Sequence, residues 1–113
     1  MKYLLMFIDS GKPWDQADPK VQEAYGHIGE WFGELAASGK LIGGEELQGA
    51  QTATTVRFES GRPVVTDGPF IEAKEAVGGY ALIDVANLEE ALSWAKRWPG
   101  AGGPVEVRPV QTH

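Results

Sequence analysis

An α+β fold of the split βαβ type is predicted for this chain on three observations. Two amphipathic stretches have helical spacing, each flanked by apolar strand-like runs; the order is strand, helix, strand, hairpin, strand, helix, strand; and 113 residues hold one such unit. At 42% hydrophobic content, residues 1–113 are expected to form a single domain with an ordinary core. Four tryptophans and three tyrosines place much of its buried area in aromatic rings.

The elements follow in order. KYLLMFID is a nearly continuous apolar run closed by Asp9-Ser10-Gly11, the pattern of a central strand buried on both faces. Asp18 before Pro19 starts a helix: its carboxylate accepts from an unpaired N–H, and the proline lacks an N–H where none is needed. Val21, Ala24, Tyr25, Ile28, Trp31, Phe32 and Leu35 then recur at three- and four-residue steps, with Glu23, Glu30 and Glu34 opposite, until Gly39 stops the helix. KLIGGEELQG reads as a strand in which Gly43-Gly44 marks a bulge or a close approach. TATTVRFE and RPVVT, joined at Ser60-Gly61, form a hairpin, and GGYALIDV is a further strand. Asn87 with Glu90 resembles a capping box for a helix striped by Leu88, Ala91, Leu92, Ala95 and Trp98 and ended by Pro99-Gly100. GPVEVRPV closes the chain as a strand.

With the hairpin as an extra, this is the pattern of a ferredoxin-like α+β sandwich. Two such helices cover one face of the sheet. Alternate residues on both faces of YLLMFI and YALI are apolar, so a partner is expected on the other face, and a homodimer burying more than about 1,200 Å² is predicted.

Charge and composition exclude several functions. Sixteen acidic against ten basic residues, a net charge of −6 and no Lys/Arg cluster argue against nucleic acid as a partner. YLLMFI is shorter than a signal-peptide core and no later run approaches a membrane span, so a cytoplasmic protein without a membrane partner is expected. No cysteine is present, which removes disulfides, thiolate metal sites and cysteine nucleophiles; with two histidines, no tightly bound metal is expected. Neither a phosphate-binding glycine loop nor a serine elbow occurs, and no cofactor is called for.

The densest chemistry lies in VTDGPFIEAKE, Val65 to Glu75. Asp-Gly ordinarily begins a tight hairpin, but Pro69 lacks the N–H that would close it. The Asp67 carboxylate is therefore expected to bond Phe70 N–H, another loop or a ligand. If the chain runs on extended, Phe70, Glu72 and Lys74 share one side. Asp67 is the candidate base or orienter, His27 the proton carrier, Lys74 the partner of an anionic group, and Phe70, Glu72 and Glu45 further ligand contacts. Structural roles compete for each. Asp67 equally suits a turn carboxylate, His27 a partly buried core histidine, and Glu72, Lys74 and Glu75 a solvated charge run. Glu45 and Glu46 alternate across a strand, so one of them faces the sheet interior or a cleft.

MKYLLMFID, GGEELQ, TATTVR, VTDGPFIEAKEAVGGYALIDV and VEVRPV, in order over essentially the whole chain, resemble the YCII-related, DGPF-type family. The resemblance implies a ferredoxin-like fold dimerised into an α+β barrel. It also implies association with extracytoplasmic-function sigma factors, beside or fused to which many members are encoded. Some relatives carry a His-Asp pair proposed as a general acid/base, and one branch eliminates chloride from a chlorinated hydroxyaromatic; Asp67 matches the DGPF aspartate and His27 is a looser helix match.

Two functions fit these residues. One is cofactor-independent acid/base chemistry, of isomerase or lyase type, on a small polar or aromatic molecule. The alternative is a non-catalytic module that binds a small molecule or docks on a sigma factor, the acidic surface favouring a basic protein segment. Turnover separates the first from the second.

Overall fold

The structure is a computed structural model and describes residues 1–70, 75–100 and 103–113. Its described elements are β1 (Lys2–Asp9), α1 (Pro19–Ala37), β2 (Leu41–Glu46), β3 (Thr54–Glu59), β4 (Arg62–Asp67), β5 (Ala76–Asp84), α2 (Leu88–Lys96) and β6 (Val105–Pro109), with a 3-10 turn at Ala50–Thr52. Four strands form one antiparallel sheet in the order β2-β5-β1-β6, and β3 pairs with β4 in a separate hairpin. The fold is a ferredoxin-like α+β sandwich carrying an extra hairpin, as the element order predicts.

Strand alternation decides which residues make the core. Tyr3, Leu5 and Phe7 of β1, with Ala81 and Ile83 of β5, point to the helices and are buried with Trp31 and Leu35 of α1 and Ala91 and Trp94 of α2. Leu4, Met6 and Ile8, opposite Leu82, Tyr80 and Val77, take the other face, where no helix packs. The molecule measures 46 × 44 × 19 Å, its thinnest dimension matching one helix layer on one sheet. Leu88, which the spacing assigns to the apolar stripe of α2, is 48% exposed, one turn ahead of Ala91, the first residue of that helix to reach the core.

Local signals act as their chemistry demands. Asp18 Oδ1 accepts from Lys20 N–H at 2.9 Å and caps α1. The register shifts between Leu41 and Gly43, placing the irregularity at the glycine pair. Ser60 and Gly61 both take positive φ, 51° and 77°, which the right-handed twist of a two-residue hairpin requires.

At α2, Asn87 Oδ1 accepts from Glu90 N–H at 3.0 Å, while Glu90 Oε2 accepts from Ala86 N–H at 3.1 Å, one residue earlier than a standard capping box. Lys40 pairs with the same carboxylate and, with the Ala86 bond, holds the Glu90 pKa below its ordinary 4.5. A depressed carboxyl stabilises the fold above its unfolded-state pKa, and that contribution is lost as pH falls through the folded value. Glu90→Gln is therefore expected to flatten the acid limb of a Tm-against-pH profile while changing little of its shape above pH 6; an unchanged acid limb would contradict this assignment.

Candidate functional site

A cleft of about 700 Å³ opens at the end of the sheet where β1 and β2 finish. Phe7, Phe32 and Trp98 form its inner wall, and Trp14, from the segment after β1, lies against Tyr25 of α1 with ring centroids 5.2 Å apart. The polar groups come from three elements. Gln16 Nε2 donates to Tyr25 Oη at 3.1 Å, and Tyr25 O–H donates to Glu46 Oε1 at 2.9 Å. Tyr25 thus belongs to the helical stripe through its ring and to the cleft through its hydroxyl.

Burial raises the Tyr25 pKa, the bond to Glu46 raises it further, and the Gln16 donor opposes the rise. The phenol therefore stays protonated at neutral pH and acts as a donor. Asp9 ends β1 at the cleft, with Oδ1 accepting from Gly11 N–H at 2.7 Å. Its carboxylate lies over the β5 bulge. A Cβ built at Gly78 would stand 2.0 Å from Asp9 Oδ2, so a glycine there admits this carboxylate. Gly78→Ala is expected to push Asp9 aside, and loss of its Asx-turn signature in NMR amide shifts at Gly11 would report the displacement.

The residues anticipated from sequence fall in different places. Glu45 lines the cleft, opposite Tyr80 in the ladder. Asp67 is the last residue of β4, exposed and opposite Thr54, and Phe70 is 70% exposed; neither lines the cleft. His27 projects from the outer surface of α1, its Nε2 3.7 Å from Glu23 and its Nδ1 4.0 Å from Glu30. Among the described residues these two carboxylates, and not Asp67, neighbour its ring within 4.0 Å. Glu72 and Lys74 lie outside the described residues.

The Asp-Gly-Pro step is held through its backbone. Gly68 N–H donates to Ala53 O at 2.7 Å, and Gly68 O accepts from Thr55 Oγ1 at 2.7 Å. The cleft groups to which sequence reasoning gives no site role are Asp9, Trp14, Gln16 and Tyr25, while Glu46 is named only as one of an alternating pair with Glu45. Their signals were the Asp-Ser-Gly that ends β1, an isolated tryptophan in a polar segment, and the alternating Glu45-Glu46 pair. Among the described residues no group of three His, Asp or Glu is placed to hold a metal ion, and no helix is long and apolar enough to cross a membrane.

An antiparallel split βαβ sheet with helices on one face and an aromatic-walled cleft at its strand ends defines a small ferredoxin-like α+β protein. The YCII-related domain family matches residues 1–112, and the chain belongs to that family. It is also similar to an uncharacterised protein of Rhizobium meliloti, 42% identical over 76 residues that cover 65% of this chain and 61% of that relative. The matched stretch thus spans less than two thirds of the relative's length.

Proposed function

We propose that the cleft takes a small polar or aromatic molecule and performs general acid/base chemistry on it, of isomerase or lyase type and without a cofactor, in a homodimer. The observation that carries this reading is the chain from Gln16 through Tyr25 to Glu46 at the edge of an aromatic-walled cleft. Tyr25 fixes one oxygen of Glu46, and the carboxylate retains a second oxygen for a ligand proton. The phenol, protonated at neutral pH, supplies a donor for an oxygen on which charge develops. The aromatic walls suit the flat, apolar part of such a molecule.

The homodimer closes through the open sheet face. Leu4, Met6, Ile8, Tyr80 and Leu82 form the centre of that face, and Glu106 and Arg108 its margin on β6. The second reading, a binding module without turnover that docks on a sigma factor, draws on the net charge of −6, which suits a basic protein segment.

Native mass spectrometry of the purified protein tests the first reading directly. A dimer retaining a small organic molecule is expected, and that molecule should shift the Trp14 indole and Tyr25 ring resonances when added back. Ligand shifts confined to the surface around His27 or Asp67 would move the site out of the cleft, and a stable sigma-factor complex without turnover would favour the module. A monomer by light scattering at micromolar concentration would defeat the dimer.

A further inference from the structure

The β3–β4 hairpin is built as an arm. Its register pairs Val56 with Val65 and Phe58 with Pro63, so these four side chains share one face. The other face carries Thr55, Arg57, Glu59, Arg62 and Thr66, with Val64 as its one apolar residue. The apolar face is uncovered: Val56 is 51%, Phe58 72% and Val65 65% exposed. A two-stranded hairpin in water is marginally stable by itself, and one that turns an aromatic and two valines to solvent is worse placed still.

The whole chain shows the same excess. Its radius of gyration is 15.9 Å, against about 13 Å for a compact domain of this length. It exposes 7912 Å², whereas a compact monomer of 12.2 kDa exposes about 6,100 Å². The surplus of roughly 1,800 Å² is about twice what one partner contributes to a standard interface.

We propose that the hairpin is a clasp, its Val56–Phe58–Val65 face lying on a second copy of this chain at the margin of that copy's open sheet face. The inference rests on the homodimer proposed above and adds to it the arm that holds it. A second copy is the fitting occupant because each chain offers both halves of the contact. Two-fold symmetry places each arm on the other protomer, so both arms and both sheet faces are covered in one closed assembly. Six-residue strands reach about 20 Å, enough to pass the edge of a four-stranded sheet. Asp67 stands on the same face as Val56 and Val65, at the base of the arm opposite Thr54. The clasp therefore carries this carboxylate, exposed in the single chain, into the contact with the partner.

The absence of native cysteine allows a direct test. Phe58→Cys is labelled with a benzophenone maleimide, and equal amounts of unlabelled and nitrogen-15-labelled chains are mixed, photolysed and digested. Cross-linked peptides joining a light arm to a heavy β2 or β6 segment, the edge strands of the sheet, are expected. Cross-links formed only within chains of one isotope, or joining the arm to the partner's helices, would overturn the clasp. In parallel, Val56→Asp combined with Val65→Asp is expected to raise the dimer dissociation constant about 100-fold or more, with circular dichroism of the body retained. A wild-type dimer whose affinity the double variant leaves unchanged would overturn the clasp and spare the sheet-face dimer. A wild-type monomer would remove both.

Discussion

Trp31→Ala is expected to cost about 3–5 kcal/mol of stability, a large share of the ~5–15 kcal/mol of an ordinary domain. Trp31 is 4% exposed and sits at the centre of the aromatic core. Its ring meets Phe7, Phe32, Trp94 and Trp98 edge to face, with centroids 5.7, 5.0, 6.1 and 5.0 Å away. Phe7 in turn stacks on Trp98 at 3.7 Å. The indole also donates Nε1–H to Trp94 O at 3.1 Å, joining α1 to the last turn of α2.

Alanine removes the ring from four aromatic neighbours at once and leaves a cavity that the two helices cannot close without sliding over the sheet. Trp31→Phe keeps most of the edge-to-face contacts and loses the hydrogen bond, so about 1–2 kcal/mol is expected there. Urea titrations of both variants read the difference. A loss below about 1 kcal/mol for Trp31→Ala would mean that the core is held elsewhere than at this cluster.

Much of the fold is legible in local chemistry. Asp18-Pro19 and Asn87 with Glu90 mark helix starts because their side chains satisfy N–H groups that the helix itself cannot. The stripe from Val21 to Leu35 identifies the buried side of α1, and Trp31 and Leu35 are its deepest members. His27 stands next to Ile28 in sequence, but a 100° rotation per residue turns it toward Glu23 and Glu30. Sequence places it on the border of the stripe, and the helix phase carries it outward.

The cleft was harder to read because its parts are brought together by packing rather than by spacing. Tyr25 and Glu46 are 21 residues apart, with the rest of α1 and most of β2 between them, and only the crossing of α1 over β2 sets their oxygens 2.9 Å apart. Alternation puts Glu45 and Glu46 on opposite faces of β2, and the bulge before Gly43 sets the phase: Glu46 stands opposite Gly79 and Glu45 opposite Tyr80, both exposed and both lining the cleft. For the Asp-Gly-Pro step, the missing proline N–H correctly excludes a plain hairpin turn. The bonds from Gly68 to Ala53 and Thr55 come from across the hairpin, where no local rule looks.

Glu46→Gln is expected to lower turnover of the cleft's substrate by about 100-fold or more, with KM changing much less, because a positioned acid/base group contributes about 10²–10⁴ to rate. The amide keeps an oxygen that accepts from Tyr25 O–H, so the local geometry and, at this exposed position, the stability are held within about 0.5 kcal/mol. What it loses is the ability to take a proton. Tyr25→Phe leaves the carboxylate charged but unoriented and removes the phenol donor. A smaller fall in kcat is expected for it, together with a change in the pH profile on the alkaline side, where the wild-type phenol ionises late. The same assays on Asp67→Asn and His27→Gln decide between the cleft and the residues anticipated from sequence. If Glu46→Gln retains full turnover while Asp67→Asn loses it at unchanged Tm, the chemistry belongs to the base of the hairpin. If a ligand binds the wild type and is not converted, the protein is a binding module and the Tyr25–Glu46 pair serves recognition alone.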